Sequence, residues 1–425
     1  IDAGTTSSRT IAFNRKIEQL AISQFEFKQI FPKKSWVEHD PNEIWKTQLK
    51  AVKEVFKDDK IDVEKIKSIG ITNQRETTVI WNRENGKPIY NAIVWQDRRT
   101  AQMCENLSKQ ATTFIEKTGL VLDAYFSGTK VKWILDNVKD GRKLAEQGKL
   151  AFGTIDTWLI WKLTKGKVHV TDVTNASRTL LFNINTLQWD DEILDILKIP
   201  KELLPKVVSS SEIVGYTDSS LFGKEIPISG IAGDQQSALF GQMCIKEGDV
   251  KNTYGTGCFC IMNTGKKIIK SKNKMLSTIA WKLNNEVTYA LEGSVFIAGA
   301  IVQWLRDKLN IIKDASEIEN LAKQVDDNGG ITFIPALSGL GAPYWNPNAT
   351  GTIFGLTRDS NKSHIARAAL EAIALRSREI IIEMQKDAGF EFAELKVDGG
   401  ASKNNLLMQI QANLIDKVVV RSKSP

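Results

Sequence analysis

The sequence predicts an α/β protein of two domains, and three observations support this prediction. Short apolar strands alternate with amphipathic helical segments along the chain, a pattern typical of sheets covered by helices. The 425 residues are 42% hydrophobic and include no low-complexity segment, so the chain can bury large cores. Glycine-rich turns follow several of the apolar strands. A break in the pattern of strands and helices near residue 242 predicts one domain over 1–242 and a second over 243–425.

The first domain is predicted to open with a hairpin followed by a helix. Thr10–Phe13 and Leu20–Phe27 have the composition of paired strands. A helix is expected to begin at Pro41, because Asp40 can cap it and proline suits the first helical position. The residues expected to face the core from this helix, at helical spacing, are Trp45, Leu49, Val52 and Phe56.

Further strands are predicted in the first domain after this helix. Ile66–Ile71 is apolar and has the length of a strand. Thr77–Trp81 and Ile89–Trp95 flank Asn85-Gly86, a dipeptide typical of tight hairpin turns. The sequence therefore predicts strand followed by hairpin in this part of the chain.

The alternation of predicted strands and helices continues beyond the proposed domain boundary. Ile226–Ala232 is predicted to be a buried strand, and Val250–Tyr254 begins a new set of strands. Ser363 is expected to cap a long helix, since serine is a common N-cap residue. Leu395–Val397 is predicted to be a short strand, followed by a helix over Asn404–Ile415.

Composition narrows the chemistry. Three histidines and four cysteines without a CxxC pair exclude the HExxH metalloprotease pattern and most zinc sites, so acid/base chemistry is expected to rest on carboxylates. The small number of cysteines favours a reducing compartment, and no apolar run approaches the roughly 20 residues that a membrane span needs. The net charge of +7 comes from lysines scattered along the chain, which does not predict nucleic-acid binding.

Three glycine-rich loops, 2–7, 254–257 and 398–400, stand at predicted strand ends. Glycine lets the backbone approach a ligand, consecutive N–H groups can bind an anion, and threonine and serine hydroxyls add donors for phosphate. A neighbouring aspartate such as Asp2 can hold Mg²⁺. Each loop alone fits an ordinary turn, but the three together favour a nucleotide site. The P-loop and GxGxxG patterns are absent from the sequence, so the site belongs to neither class.

Asp234 is the candidate catalytic residue. It follows an apolar strand near the proposed domain boundary. A carboxylate there can accept the proton of a hydroxyl that attacks a phosphoryl group. A helix N-cap is the alternative role, and the two roles are compatible.

Five further residues are candidates either for binding a polyol or for an ordinary structural role. Arg75-Glu76 follows a predicted strand and is either a surface ion pair or a donor and acceptor for a neutral, polyhydroxylated ligand. Tyr125 is expected to be partly buried with its hydroxyl at the rim. Trp95 and Phe259 lie near the predicted loops, where they can form an apolar wall.

Together these segments resemble the FGGY family of carbohydrate kinases, which share the actin/Hsp70/hexokinase-type ATPase architecture. GITNQRET (70–77) and GAPYW (341–345) are the specific motifs, since DxGTT alone indicates only the superfamily. The other matching segments, in chain order over the whole sequence, are DAGTTSSR (2–9), WVEHDP (36–41), YNAIVWQDRR (90–99), YFSGTKVKWI (125–134), DTWLIWKL (156–163), TNASRT (174–179), GIAGDQQSALFGQ (230–242), NTYGTGCF (252–259), YALEG (289–293), FGLTR (354–358) and VDGGASKNN (397–405).

The resemblance implies two actin-like, ribonuclease H-like ATPase domains with an active-site cleft between them. It implies phosphorylation of glycerol by ATP to sn-glycerol 3-phosphate, the first step of glycerol catabolism, with Asp234 as general base. The implied polyol-binding residues are Arg75, Glu76, Tyr125, Asp234, Gln235, Trp95 and Phe259. The implied nucleotide contacts are Thr5, Thr6, Ser7, Arg9, Thr256, Gly257, Gly299, Gln303, Gly400 and Asn404, and the implied Mg²⁺ residues are Asp2 and Asp234.

Two other functions stay open at this point. One is an FGGY kinase that acts on a pentulose or a similar polyol, and the other is a non-kinase ATPase module of the actin kind. The resemblance implies a cytoplasmic homo-oligomer, dimer or tetramer, with no membrane insertion and no nucleic-acid partner. Because the family normally begins before Ile1 and continues beyond Pro425, both ends are expected to be missing from this chain.

Overall fold

A computed structural model describes residues 1–389 and 391–422, which divide into two compact units. The first unit contains Ile1–Ser237 and Thr278–Val287, and the second contains Ala238–Ser277 and the described residues from Thr288 onward. The chain forms two six-stranded sheets accompanied by helices, so the predicted α/β class is confirmed. Within the described ranges, no helix is long and apolar enough to cross a membrane.

The strands are β1 (Asp2–Ala3), β2 (Ser7–Phe13), β3 (Gln19–Glu26), β4 (Glu38–His39), β5 (Ile69–Asn73), β6 (Val79–Asn82), β7 (Ala92–Ile93), β8 (Leu150–Gly153), β9 (Val170–Asp172), β10 (Phe182–Asn183), β11 (Gln188–Trp189), β12 (Lys206–Val208), β13 (Gly215–Tyr216), β14 (Pro227–Gly233), β15 (Val250–Tyr254), β16 (Cys258–Gly265), β17 (Leu276–Leu283), β18 (Glu286–Val295), β19 (Thr332–Ile334), β20 (Thr352–Phe354), β21 (Glu394–Asp398) and β22 (Val418–Arg421).

The helices are α1 (Pro41–Val55), α2 (Ala101–Asn106), α3 (Ala111–Thr118), α4 (Ser127–Asn137), α5 (Gly141–Glu146), α6 (Ile155–Leu163), α7 (Val173–Ala176), α8 (Asp191–Leu197), α9 (Ser219–Phe222), α10 (Asp234–Gly241), α11 (Gly299–Asp307), α12 (Glu317–Ala322), α13 (Lys362–Ala388) and α14 (Asn405–Ile415).

The sheet of the first unit has the strand order β13-β14-β5-β1-β2-β3. β1, β2 and β3 are antiparallel neighbours, whereas β5 pairs in parallel with both β1 and β14. In this register Asn73 of β5 is the partner of Ala3 and of Gly233. Three parallel strands therefore end together, and the loops that follow them leave one edge of the sheet, where open α/β sheets bind ligands.

The second six-stranded sheet has the order β17-β18-β16-β15-β21-β22. Its strands β15, β16, β21 and β22 lie in the second unit. β15, β16 and β18 are antiparallel neighbours, and β21 pairs in parallel with β15 and β22. Thr253 of β15 and Asp398 of β21 are partners at the ends of their strands. The order β18-β16-β15-β21-β22 thus repeats the order β3-β2-β1-β5-β14 of the first unit.

Apolar burial stabilises each unit around its sheet. In the first unit, Ile71 and Trp81 pack with Trp158 of α6, and the two indole centroids lie 5.3 Å apart. In the second, Ile373 and Ile380 of α13 belong to the core built on β15, β16 and β18. Because removing apolar surface from water is the main favourable term in folding, these clusters hold the strand ends in place.

Several predicted elements are confirmed. α1 begins at Pro41, and Asp40 caps it by accepting a 2.8 Å hydrogen bond from the Asn42 N–H. β15 has the predicted bounds, and α14 begins one residue after the predicted Asn404. These elements carry local signals of capping and apolar patterning.

The predicted buried face of α1 is confirmed in part, since Val52 is buried and the half-buried Trp45 and Phe56 pack against the core. Ile44 and Gln48 are buried, whereas Trp45 and Leu49 are only half-buried. The Gln48 amide donates 3.0 Å hydrogen bonds to the Arg9 carbonyl and to a threonine hydroxyl of β2. A polar side chain therefore occupies the face toward the strand, which an apolar pattern does not predict.

Two predicted boundaries are also wrong. The N-cap of α13 is Asn361, whose side chain accepts hydrogen bonds from the N–H groups of Ser363 and His364, so Ser363 lies inside the helix. β5 begins at Ile69 and not at Ile66, because Ile66 ends a short 3₁₀ turn over Val63–Lys65 and the pairing of β5 with β14 starts at Ile69. In both cases a neighbouring residue, and not the predicted one, caps the helix or begins the strand.

Candidate active site

The first sheet edge carries the charged residues. Asp234 directly follows Gly233 at the end of β14, and Arg75 and Glu76 follow the end of β5 by two and three residues. The side chains of Arg75 and Glu76 are 1% and 2% exposed, which rules out the surface ion pair considered above. Their position below the surface needs a specific arrangement of charges, since a buried ion is costly unless it is paired.

Arg75 lies between two carboxylates. Its Nε is 3.3 Å from Asp234 Oδ1 and 3.8 Å from Glu76 Oε1. The Asp234 side chain is 37% exposed, and its Oδ1 accepts a 2.8 Å hydrogen bond from the Gln235 N–H at the start of α10. A fixed, partly exposed carboxylate next to a guanidinium is suited to receive a proton from a bound hydroxyl.

Glu76 is held at both ends. Its φ of 59° is in the left-handed region, which costs roughly 1–3 kcal/mol for a residue other than glycine. Its carbonyl oxygen accepts hydrogen bonds from the hydroxyls of Ser127 (2.9 Å) and Thr78 (3.1 Å). Its carboxylate accepts one from Arg178 Nε at 2.6 Å. These hydrogen bonds hold Glu76 in its strained backbone conformation, as is common for residues of functional sites.

Trp95 and Tyr125 stand beside this cluster. Their ring centroids are 5.7 Å apart in an edge-on arrangement, and Trp95 Nε1 donates a 3.0 Å hydrogen bond to Thr5 Oγ1. Tyr125 is 1% exposed, so the prediction that it is only partly buried at a rim is wrong. Packing against Trp95 and against Phe126, at 5.0 Å between centroids, explains its burial.

Lys130 of α4 supports the Tyr125 backbone. Its Nζ donates a 2.6 Å hydrogen bond to the Tyr125 carbonyl, and its side chain is fully buried. Burial lowers the pKa of Lys130 to about 7, because desolvation disfavours the ammonium, while Glu76 and other nearby carboxylates oppose the shift.

The loop between β1 and β2 is the first predicted phosphate loop. Gly4 N–H donates to the Ser7 carbonyl at 2.9 Å, which closes a tight turn and leaves Thr6 exposed. Arg9 Nε donates to Asp2 Oδ2 at 3.0 Å. Hydroxyls and a guanidinium therefore surround the turn, and these are donors for phosphate oxygens.

The second unit carries the other predicted phosphate loop, between β15 and β16. Gly255 N–H donates to the Gly257 carbonyl, and Gly299 N–H at the start of α11 donates to the Gly255 carbonyl, both at 2.9 Å. A Cβ on Gly257 would lie 2.4 Å from the Val295 carbonyl oxygen, and one on Gly299 would lie 2.6 Å from that of Gly255. Only glycine permits this backbone-to-backbone packing, which forms a cradle beside a helix N-terminus.

The loop after β21 adjoins the same hairpin. Gly399 has a φ of 87°, and a Cβ there would lie 2.5 Å from the Tyr254 carbonyl oxygen. Gly400 is exposed with open space around it, and Asn404 caps α14 by accepting a 2.9 Å hydrogen bond from Leu407 N–H. Gln303 is exposed on α11. These residues offer backbone and amide groups, not charges.

The structure thus gathers the predicted residues in two sets, one in each unit. Arg75, Glu76, Trp95, Tyr125, Asp234 and Gln235 belong to the first unit, together with Asp2, Thr5, Thr6, Ser7 and Arg9. Thr256, Gly257, Phe259, Gly299, Gln303, Gly400 and Asn404 belong to the second, where Phe259 is a half-buried residue of β16.

No cluster of three or more His, Cys, Asp or Glu side chains that could hold a metal ion occurs within residues 1–389 and 391–422. Asp2 and Asp234 are 25% and 37% exposed and supply carboxylate oxygens. That donor set fits Mg²⁺, which is commonly held by one or two carboxylates, phosphate oxygens and water.

Sequence reasoning missed several residues around the site. Arg178 holds Glu76, Lys130 holds the Tyr125 backbone, and Asn175 bonds to Asn73 at the end of β5. TNASRT and YFSGTK were among the segments that matched the family, but nothing in their spacing singles out one side chain. The contact between Arg178 and Glu76 spans 102 positions in the sequence.

Comparisons with known proteins identify the family of the chain. Residues 1–241 match the N-terminal domain of the FGGY family of carbohydrate kinases, and residues 250–425 match its C-terminal domain. The chain is 58% identical to glycerol kinase of Dichelobacter nodosus, covering 100% of this chain and 86% of that protein. It is 59% identical to glycerol kinase of Borreliella afzelii, covering 100% and 85%.

Solved structures support the same family. The crystal structure of Plasmodium falciparum glycerol kinase with ADP matches with a TM-score of 0.91 at 40% identity, covering 99% of this chain and 85% of that one. A ligand-bound xylulose kinase of Lactobacillus acidophilus, 24% identical, has the same fold with a TM-score of 0.87 over 100% of this chain and 85% of that one. This chain belongs to the FGGY family of carbohydrate kinases and has their actin-like ATPase fold.

Proposed function

We propose that this chain catalyses the phosphorylation of glycerol by ATP, giving sn-glycerol 3-phosphate and ADP. The observation that carries the proposal is the cluster of Arg75, Glu76 and Asp234, a donor and two acceptors at one sheet edge. A small polyol needs such closely spaced polar partners for its hydroxyls. The identity of 58% with a glycerol kinase over the whole chain supports glycerol over a pentulose.

In this proposal the side chains orient one primary hydroxyl of glycerol. Arg75 donates to a substrate oxygen, Glu76 accepts from a hydroxyl, and Tyr125 and Gln235 complete the polyol contacts, with Trp95 and Phe259 against the carbon chain. Asp234 accepts the proton of the glycerol hydroxyl while the oxygen of that hydroxyl forms a bond to the γ-phosphorus. The bond from that phosphorus to the bridging oxygen breaks, and ADP leaves with the electron pair.

The nucleotide is held by two loops in this proposal. Thr5, Thr6, Ser7 and Arg9 bind phosphate oxygens from the first unit, and Thr256 and Gly257 bind them from the second. The remaining contacts are Gly299, Gln303, Gly400 and Asn404. When bound near Asp2 and Asp234, Mg²⁺ supplies positive charge that offsets the negative charge on the phosphates. The domain boundary at 242, the cytoplasmic location and the homo-oligomeric state stay predictions.

A coupled assay of ADP release tests the proposal. The chain is supplied with Mg-ATP and, in parallel, with glycerol, a pentulose or no polyol. Turnover that requires glycerol and exceeds the pentulose rate is expected. Faster turnover of the pentulose would identify a different sugar kinase, and slow ADP release that no polyol accelerates would identify a non-kinase ATPase.

A further inference from the structure

Arg178 is a buried arginine next to the polyol-binding residues. Its side chain is 0% exposed, and its Nε donates a 2.6 Å hydrogen bond to Glu76 Oε1. It lies just after α7, in neither of the two sets of predicted site residues. A guanidinium with no exposed surface must be matched by charge, and Glu76 supplies that charge.

Arg178 completes a balanced set of four charges. Glu76 and Asp234 are the carboxylates, and Arg75 and Arg178 are the guanidiniums. Arg178 is 2.6 Å from Glu76, whereas Arg75 is 3.3 Å from Asp234 and 3.8 Å from Glu76. Because Arg178 forms the closer ion pair with Glu76, the guanidinium of Arg75 is left to pair with Asp234. Without Arg178, the buried Glu76 carboxylate would draw Arg75 away from Asp234.

Arg178 also contacts the aromatic wall. Its Cζ lies 5.7 Å from the ring centroid of Tyr125 and 5.4 Å from that of Phe126. A planar guanidinium can pack against rings and donate to a carboxylate at the same time, whereas a lysine ammonium is a point charge on a flexible stem. One side chain therefore fixes both an acceptor and an aromatic residue of the polyol set.

The segment 172–178 is anchored to the strand ends that carry the site. Gly233 N–H, next to Asp234, donates to Thr174 Oγ1 at 2.9 Å. Asn73 Nδ2 donates to Asn175 Oδ1 at 3.0 Å. Asp172 accepts from the Thr174 hydroxyl at 2.8 Å and from the Asn175 amide at 3.0 Å. Arg178 thus stands on a frame that is rigidly joined to β5 and β14.

We propose that Arg178 is a positioning residue for glycerol: it fixes the Glu76 carboxylate and the Tyr125 ring and leaves Arg75 to Asp234. The proposal rests on the proposed function and adds a residue that acts on the polyol through others. The effect of Arg178 is expected on glycerol and not on ATP, since Glu76 and Tyr125, which it contacts, belong to the polyol set.

The test compares Arg178→Gln and Arg178→Lys with the unsubstituted chain. We measure kcat and KM for glycerol and for ATP, and glycerol binding by calorimetry without ATP. Arg178→Gln is expected to lower kcat/KM for glycerol about 100-fold, with KM for ATP changed less than about twofold. Arg178→Lys keeps the positive charge but lacks the planar guanidinium. It is expected to recover about a tenth or more of the kcat/KM for glycerol that Arg178→Gln loses.

Arg99→Lys is the matched control. Arg99 is also 0% exposed and ion-paired, at 2.7 Å from Glu38 and 2.8 Å from Asp97, and its ring contacts are with Trp36, Tyr90 and Trp133. The control is expected to lower the melting temperature while leaving KM for glycerol within about twofold. It therefore measures the general cost of losing a buried arginine.

Two further substrates sharpen the result. Propane-1,2-diol and propane-1,3-diol each lack one hydroxyl, and a site built to bind that hydroxyl rejects the analogue. Arg178→Gln is expected to reduce the preference of the chain for glycerol over at least one of them by about tenfold. An unchanged preference for glycerol over both diols would contradict the proposal.

The outcomes separate this inference from the proposed function. Failure of the unsubstituted chain to turn over glycerol would refute the proposed function, while calorimetric binding of glycerol would still test Arg178. A folded Arg178→Gln protein with unchanged KM for glycerol and unchanged glycerol binding would overturn the inference. So would equal rises of KM for glycerol and ATP. If Arg178→Gln does not fold, Arg178→Lys decides the matter by the same criteria.

Discussion

The two units use the same strand order to present different chemistry. At the edge where β1, β5 and β14 end, the loops carry Arg75, Glu76 and Asp234. At the edge where β15 and β21 end, the loops carry Gly257 and Gly399, whose backbones touch neighbouring carbonyl oxygens. The first edge presents a cluster of charged side chains, whereas the second presents closely packed backbone at glycine residues.

The difference follows from what each ligand requires. In the proposed reaction, moving a proton from a hydroxyl needs a fixed carboxylate, and Asp234 at the first edge is the proposed one. Binding a polyphosphate needs close approach of N–H groups, which side chains would obstruct. The comparison therefore predicts that the same kind of substitution has different kinetic consequences at the two edges.

The largest effect is expected from Asp234→Asn, which removes the proposed base of the charged edge. kcat with glycerol should fall about 10³-fold, since an amide cannot accept the proton, while ATP binding persists. Asp191→Asn is the control, because Asp191 also begins a helix but is 73% exposed and is paired with Lys201. Normal turnover in Asp234→Asn would show that the charged edge does not contain the base.

A smaller loss is expected from Gly257→Ala at the backbone edge. The new Cβ would lie 2.4 Å from the Val295 carbonyl oxygen, so the hairpin must shift. kcat/KM for ATP should fall about 100-fold, with glycerol binding by calorimetry nearly unchanged. Gly241→Ala is the control, since a Cβ there meets nothing within 4 Å. Equal losses for both substrates would contradict the division between the edges.

Gly233→Ala is the corresponding change at the charged edge. Its Cβ would lie 2.7 Å from Cγ and Cδ of Arg75, which must move away from their present position. Because a side chain can yield more than a backbone, KM for glycerol should rise only about tenfold, and KM for ATP should stay constant. A rise in KM for ATP alone would reverse the assignment of the two edges. Gly241→Ala serves as the control here as well.

The smallest effect concerns stability and pH at the charged edge. The pKa of Lys130 is lowered from 10.5 to about 7, mainly by desolvation, so between these values the unfolded chain binds the additional proton. The contribution of Lys130 to the free energy of unfolding therefore rises with pH from about 7 to 10.5. Lys130→Met should flatten that rise in the melting temperature. An equally steep rise in the variant would show that Lys130 keeps its proton in the folded state.

Local signals made part of the fold predictable. Asp40-Pro41 marks the start of α1, and the apolar run Val250–Tyr254 marks β15, because a cap or a strand pattern depends on neighbouring residues. The burial of Gln48 on α1 is not predicted by an apolar pattern, because hydrogen bonds to β2 hold this polar side chain there. The repeated strand order of the two units was not predicted, because it is a property of pairing and not of sequence.

The candidate site shows the same division. The motif residues Arg75, Glu76 and Asp234 were found because their types and their positions after strands suggest chemistry. Arg178 was not found, because its importance lies in a contact with Glu76 across 102 residues of sequence. Burial also changed one interpretation, since Arg75 and Glu76 are not a surface pair.

The sequence by itself determined the α/β class, the family resemblance and the positions of the glycine-rich loops. Those properties depend on composition and on short-range pattern. Only the tertiary structure decided which loops share an edge, how Arg75 is placed between Glu76 and Asp234, and that Arg178 belongs with them. Strand register and the pairing of buried charges bring distant residues together, so these arrangements exist only after the chain has folded.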